Sequence, residues 1–429
     1  MTNNTWEFEP TRECARRLDR EDPMRHWRKE FRIPDARDGR ECIYFCGNSL
    51  GVQPLRAARF VQEELDSWAR RGINGHFTGD RPWLSYHRYA AEALAELTGA
   101  LTSEVIAMNT LTVNLHFLMA SFYRPDAARY KVIIESTAFP SDRYAVVSQM
   151  RMHGLDPDEA LVEWEPRAGG TDLHIEDLQQ LLVRHGENVA LMLLPGVQYY
   201  NGQVLDMQRL CEMARETGCR IGLDLAHAVG NVALDLHNWA PDFAAWCHYK
   251  YVNAGPGAVG GAFVHSRHLQ SPDTRSLSGW WGNSEKTRFR MAKTFDPADG
   301  IEAWQVSNPP VLALAPVLAS LQIFSEAGFD KLLGKSAKLT AWLAYLLDEL
   351  LPDNVRVITP AEARGCQLSL TIRDAQRDPR DVFEALGRFN VVCDWREPDA
   401  IRAAPAPLYN GFEDAWEFVA RLQAAIAER

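Results

Sequence analysis

Lys250 lies in the run Trp246-Cys247-His248-Tyr249-Lys250-Tyr251. Lysine is rare in apolar, aromatic company because an unpaired ammonium is costly to bury. Either its stem runs along apolar surface with the amine in water, or the amine is desolvated and suited to Schiff-base chemistry on a carbonyl. Asp224, 26 residues earlier, closes the run Arg220-Ile221-Gly222-Leu223-Asp224 and leads into Leu225-Ala226-His227. A strand-end aspartate can be no more than a helix cap. At the carboxyl end of a central strand, it also stands where open α/β sheets bind ligands.

Two glycine motifs suggest other chemistry. Gly47-Asn48-Ser49-Leu50-Gly51 matches the G-x-S-x-G elbow of serine hydrolases, but it precedes most of the sheet that such an elbow needs around it. A tight ligand-binding or structural turn is the better reading. Gly255-Pro256-Gly257-Ala258-Val259-Gly260 matches G-x-G-x-x-G without the preceding strand, following helix or later acid of a dinucleotide site. It reads as a turn where backbone comes close to something.

The elements that must position these residues alternate. Segments 130–135, 189–194, 220–224 and 262–265 read as strands. Segments 141–152 (Ser141 as N-cap), 172–185 and 206–217 read as helices, with Gly154, Gly186 and Gly218 at or past their ends. This βαβ alternation argues for a mostly parallel sheet covered on both faces by helices. A short strand at 103–108 leads through Thr110 into an apolar helix reaching Phe122, whose first turn could cradle a phosphate. Helices at 309–326 and 331–351, then strands at 355–358 and 368–372, suggest a smaller α+β unit. The expected division is 1–45 (packing with the small unit), 46–319 and 320–429.

Composition narrows the function classes. Lys plus Arg total 46 and Asp plus Glu 57 in 429 residues, a formal charge of −11, which does not suit a nucleic-acid binder. The chain is 46% apolar and 24% charged, a globular balance without repeats or low-complexity stretches. No segment has the length of apolar chain needed to span a bilayer, and the polar first twenty or so residues resemble no secretory leader; a cytoplasmic protein without a membrane partner is expected. The eight cysteines show neither a disulfide framework nor zinc-ligand spacing, so free thiols and no metal are expected.

A lysine for an aldehyde and an acid for a pyridine nitrogen are the two requirements of pyridoxal 5'-phosphate (PLP). Beyond Asp224 and Lys250, the chain resembles the kynureninase family. The resemblance is carried by Tyr44 to Gly51, Arg81-Pro82-Trp83, Met108 to His116, and Ala138-Phe139-Pro140-Ser141-Asp142. It continues through Asp224 to Asn231, Tyr249 to Gly255, Gly279-Trp280-Trp281-Gly282, Ser307-Asn308-Pro309-Pro310 and Ile401 to Asn410. It implies PLP fold type I, an α/β architecture with a mostly parallel seven-stranded sheet flanked by helices, in a homodimer with composite active sites.

The resemblance also implies roles. Lys250 carries the cofactor, Asp224 faces its ring nitrogen, and His227 lies beside the ring. Leu111 and Thr112 bind the phosphate, with Tyr249 as a further ligand and proton relay. Phe139, Pro140, Ser141 and Asp142 form the strip over the ring, with Phe139 stacked on it. Trp280 and Asn308 reach in from the partner subunit. Arg402 clamps the substrate α-carboxylate, and Asn48, Ser49, His76 and Ser307 line the substrate pocket. Pro195 departs from relatives that place a small hydroxyl residue there. The implied activity is hydrolysis of L-kynurenine, and of 3-hydroxy-L-kynurenine, to the anthranilate and L-alanine, in tryptophan catabolism or NAD precursor synthesis. Competing readings are another class V PLP enzyme (Cys366 being the one loose candidate for a desulfurase cysteine), a serine hydrolase using Ser49, and a PLP-type fold that binds without catalysis.

Overall fold

The computed structural model describes residues 6–36, 39–269, 277–373 and 377–428. Residues 1–5 of the anticipated N-terminal segment therefore lie outside the described residues.

Seven strands make the central sheet: β1 (Val105–Ala107), β2 (Lys131–Glu135), β3 (Leu161–Trp164), β4 (Val189–Pro195), β5 (Arg220–Asp224), β6 (Phe243–Cys247) and β7 (Gly260–Val264). Their spatial order is β1-β7-β6-β5-β4-β2-β3. Strands β2 to β6 run parallel, while β7 is antiparallel to both of its neighbours. Runs such as Val132-Ile133-Ile134 are apolar throughout because both faces are covered. Val132 and Ile134 pack beneath α1 (Leu111–Phe122) and α2 (Pro140–Met152). Ile133 joins the opposite core with α3 (Val311–Ala327).

Two local expectations are corrected. The helix anticipated from Ser141 begins at Pro140, with Phe139 as N-cap and no side-chain capping bond. Proline at the first helical position sets φ for the turn and removes an N–H that would be unsatisfied there. The helix anticipated from residue 172 begins at Ile175. Asp172 is instead fixed outside it, its Oδ1 accepting from Asn201 Nδ2 (3.2 Å) and Thr171 Oγ1 (3.3 Å).

Downstream, β8 (Val355–Val357), β9 (Leu368–Ile372), β10 (Asp394–Arg396) and β11 (Ala400–Ala403) form an antiparallel sheet in the order β8-β9-β11-β10. Helix α4 (Phe329–Leu350) joins the two regions: Leu332 lies in the large core, Leu339 to Leu347 in the core beneath this second sheet. The N-terminal helix Arg12–Glu21 buries Cys14, Ala15 and Leu18 in that second core. Its Asp19 accepts from the backbone N–H of Phe412 (2.7 Å) and Glu413 (2.9 Å), capping the last helix, Phe412–Ala427. Among the described residues no single helix is long and apolar enough to cross a membrane; α3 and α4 meet that test only as a pair, bent by 81°.

Candidate active site

Strands β2, β4 and β5 deliver Glu135, Pro195 and Asp224 from their carboxyl ends to one cavity of about 260 Å³, and the turn after β6 adds Tyr249 and Lys250. The Lys250 amine lies 2.9 Å from His227 Nε2. Burial, followed by the charge of Lys250, holds His227 well below its ordinary pKa. The imidazole is therefore neutral and accepts from Lys250 through Nε2, which puts its own proton on Nδ1, a buried atom without a partner among the described residues.

The Gly47-to-Gly51 turn packs on this lysine segment. Gly51 N–H donates to Tyr249 O (2.8 Å). A Cβ on Gly51 would sit 2.4 Å from Lys250 O and 2.2 Å from Asn253 Oδ1, so no larger residue fits. The second glycine motif has an equally local explanation. Gly255 and Gly257 are turn residues with φ of +90° and +71°, while Gly260 opens β7 where a Cβ would meet Leu111 N at 3.1 Å. Backbone here closes beneath the first turn of α1.

That first turn faces the cavity through Thr110, Leu111 and Thr112. Thr110 is the N-cap but its side chain makes no capping bond, so the leading N–H groups are open to an anion. Thr112 Oγ1 and Ser141 Oγ lie 2.7 Å apart beside them. Phe139 is 44% exposed, lines the cavity and meets Tyr199 edge to face at 5.3 Å. Pro140, exposed at the head of α2, orients this strip without lining the cavity.

Three carboxyl groups crowd the same space. Glu135 is pushed up to about 8 by burial and then by the charge of Asp224. Asp142 is raised well above the carboxylate range by burial, then by the charge of Asp224 and the hydrogen bond between them. Burial and crowding thus push both toward the protonated form beside Asp224. Tyr249 is also raised, by burial first, so its phenol stays protonated.

A second charged group closes the cavity. Arg402, fully buried, donates through Nη1 to Tyr199 O (2.7 Å) and through Nη2 to Ser49 Oγ (2.9 Å) and to Asp394 Oδ2. Ser49 Oγ donates to the same carboxylate oxygen, and Arg396 Nη1 lies 3.0 Å from Asp394 Oδ1. Ser49 thus bonds to an aspartate and an arginine rather than to an imidazole, which removes the hydrolase reading. Asn48, fully buried, donates to Gln367 Oε1 (3.2 Å).

Besides Pro140, four anticipated residues do not line this cavity. His76 packs edge-on to Trp83 at 5.2 Å, and Ser307 and Asn308 are exposed. Trp280 is 44% exposed and meets Phe289 at 5.6 Å, which in turn faces Phe77 at 6.5 Å. Buried Glu64 anchors this region by accepting from Arg81 Nε (2.9 Å), Trp83 Nε1 (2.9 Å) and Tyr86 OH (3.0 Å). Elsewhere, Glu104, His237 and His265 hold possible ligand atoms within 4.8 Å of one another. Both ring nitrogens of His265 are engaged, with His237 O and Arg267 N, and Glu104 accepts from Leu101 N, Ser266 N and His237. That group is a hydrogen-bonded junction.

With this geometry in place, comparison with known proteins decides the family. A model of the kynureninase C-terminal domain matches residues 332–422. A kynureninase of Myxococcus xanthus (strain DK1622) is 49% identical over 418 residues, covering 97% of each chain. The chain belongs to the kynureninase family. A kynureninase of Stenotrophomonas maltophilia (strain K279a) is 51% identical over 95% of this chain and 96% of its own. Solved structures share the fold at low identity. A C-DES variant with glycine covalently linked to its PLP cofactor matches with TM-score 0.74 at 18% identity, over 89% of this chain and 96% of its own. The cysteine desulfurase CsdA from Escherichia coli matches with TM-score 0.74 at 16% identity, over 94% and 98%. The α/β architecture expected of a PLP enzyme is the one observed.

The cavity of this kynureninase-family chain fits PLP on its own atoms. Besides the open helix terminus and the lysine, six buried polar atoms without a partner among the described residues belong to side chains lining it: Asn48 Oδ1, Glu135 Oε2, Asp142 Oδ1, His227 Nδ1, Arg396 Nε and Arg402 Nε. Sequence reasoning missed Glu135, Tyr199, Asp394 and Arg396. Glu135 carried the same signal as Asp224, an acid closing an apolar strand. Asp394 and Arg396 stand on the strand just before Arg402, a pairing visible only once β10 meets β11.

Glu135 gives a pH-dependent expectation. Its folded pKa of about 8 exceeds the ordinary 4.5. The folded state therefore holds a proton that the unfolded state releases, and this contribution is lost as pH rises between those values. Glu135→Gln removes it. In thermal melts of the cofactor-free protein, the variant loses less melting temperature between about pH 6 and about pH 8 than the parent. Equal pH slopes would show that Glu135 is not held protonated.

Proposed function

We propose that this chain is a PLP-dependent hydrolase that cleaves the Cβ–Cγ bond of L-kynurenine with water, giving anthranilate and L-alanine. We further infer that it accepts 3-hydroxy-L-kynurenine, giving 3-hydroxyanthranilate. The observation that carries this reading is the convergence of the Lys250–His227 pair, Asp224 and buried Arg402 on one cavity. Family membership supports it independently.

The first-turn N–H groups of Leu111 and Thr112, the Thr112 and Ser141 hydroxyls and Tyr249 would hold the cofactor phosphate. Asp224 would face the ring nitrogen, His227 and Asp142 would flank it, and Phe139 would cover the ring face. Once bound, PLP supplies a place to store the electron pair left when a bond to the substrate Cα breaks. The chain does the rest. Lys250 removes and returns the Cα proton, steered by neutral His227 through the 2.9 Å hydrogen bond. Asp224 would pair with the protonated ring nitrogen, with Glu135 and Asp142, both shifted toward the neutral form, crowding it. Tyr249, held protonated by burial, donates at Cβ as the aryl group departs. Arg402 binds the α-carboxylate, and Asn48 and Ser49 border it.

Two measurements test the assignment. The parent converts kynurenine to fluorescent anthranilate, Lys250→Ala gives none while keeping the fold, and Arg402→Ala raises KM at least about tenfold. Normal turnover by Lys250→Ala would remove the lysine from catalysis, and an unchanged KM would remove Arg402 from the site.

The cavity of one chain leaves out His76, Trp280, Ser307 and Asn308, and we infer that they act on a second copy's site. Support comes from the exposed aromatic surface of Phe77, Trp280 and Phe289 and the adjoining apolar groove of Trp68, Trp83 and Leu312. Both carry the surroundings of the missing residues. In a homodimer, these groups complete the substrate pocket across the interface. Mixing inactive Lys250→Ala and Asn308→Ala chains then restores a fraction of activity through hybrid dimers with one intact site. No recovery from a mixture shown to exchange subunits would place Asn308 in its own chain's site.

A further inference from the structure

Arg402 is not free to receive a carboxylate in the way its position suggests. A guanidinium grips a carboxylate bidentately through either of two edges, Nη1 with Nη2 or Nε with Nη2. Both edges use Nη2, and Nη2 is already engaged by Asp394 Oδ2 and by Ser49 Oγ, two acceptors bonded to each other on the same side of the nitrogen. One Nη1 hydrogen is fixed on Tyr199 O, and Nε is buried with no partner among the described residues. Asp394 therefore holds a guanidinium nitrogen that either bidentate grip requires.

A fully buried guanidinium is costly without a counter-charge. Asp394, itself nearly buried, supplies that charge in the free protein. It is also the partner best placed to let go. Its Oδ1 already pairs with Arg396 Nη1 at 3.0 Å, and Arg396 is one-third exposed and lines the same cavity. If Oδ2 leaves Arg402, the carboxylate keeps an ion pair and the Ser49 hydroxyl. The incoming carboxylate replaces one anion with another, so Arg402 remains neutralised throughout.

We propose that Asp394 is a resident competitor for Arg402: the substrate α-carboxylate displaces it from Nη2, and Arg396 holds it while the substrate is bound. This rests on the reading of Arg402 as the carboxylate clamp. Asp394 acts through Arg402 and Arg396 and is a positioning residue that sets how strongly the site favours a carboxylate. It makes the clamp selective, because a ligand must offer a full negative charge to be worth the exchange. A neutral amide cannot displace an ion pair.

The test is calorimetric titration of the cofactor-loaded protein with two probes, L-alanine and its uncharged analogue L-alaninamide. Asp394→Asn keeps the side-chain shape and removes the competing charge. It tightens L-alanine about tenfold, equivalent to about 1.4 kcal/mol, and leaves L-alaninamide within about twofold. Arg396→Gln loosens L-alanine in the parent and has little effect in the Asp394→Asn background, because its role runs through that carboxylate. Weaker or unchanged L-alanine binding in Asp394→Asn, or a matching shift for the amide, overturns the proposal. Should Asp394→Asn fail to fold, Arg396→Gln alone decides: no selective loss for L-alanine overturns it. Arg402→Gln separates the two layers. If the preference for acid over amide survives there, the clamp reading is what fails; if it vanishes while Asp394→Asn shows no tightening, only the competitor is excluded.

Discussion

The amine of Lys250 and the imidazole of His227 form the contact on which the rest of the site depends. A lysine surrounded by aromatic and apolar groups needs an acceptor, and a fully buried imidazole beside a cation gives up its own second proton to become one. The strand β5 and the turn after β6 fix the two partners. Gly51 locks that turn from the other side, leaving no room for a Cβ between its backbone and Lys250. Much of the fold around the cavity thus serves to hold one nitrogen in one place.

Desolvation then sorts the neighbouring acids. Three carboxyl groups in one small cavity cannot all be charged. Glu135 and Asp142 are pushed toward the protonated form beside Asp224, at the end of a central strand. At the other group, burial of Arg402 demands a counter-ion, which Asp394 provides. The site therefore sets a crowded group of acids beside Lys250 against a buried Arg402 whose counter-ion comes from the neighbouring strand. That arrangement suits a substrate carrying one carboxylate and reacting beside it.

What the sequence made legible follows from how local each signal is. Strands β4 and β5 and the helix Met207–Thr217 were readable because apolar runs, the N-cap Asp206 and the stop at Gly218 lie within a few residues. Lys250 was readable because a charged group in apolar company is costly and stands out, Asp224 because it closes a central strand, and Arg402 only through the family resemblance. The Asp394–Arg396–Arg402 arrangement was hidden: it arises from antiparallel pairing of β10 with β11 and has no signature in residue spacing. The separate location of His76 and Ser307 was equally hidden, since the composition of one chain does not say which side chains face another; for Trp280 and Asn308 only the family resemblance implied it. Helix starts failed where backbone chemistry overrode pattern, as at Pro140, or where a side chain was captured elsewhere, as at Asp172.

The central claim concerns one nitrogen, and the most direct measurement asks what it is bonded to. The cofactor-loaded protein is treated with borohydride, digested and mapped by mass spectrometry. The account predicts a reduced pyridoxyl phosphate group fixed to the peptide containing Lys250, with other lysines unmodified. A label on another lysine, or none on a protein that retains its cofactor absorbance before reduction, would contradict it.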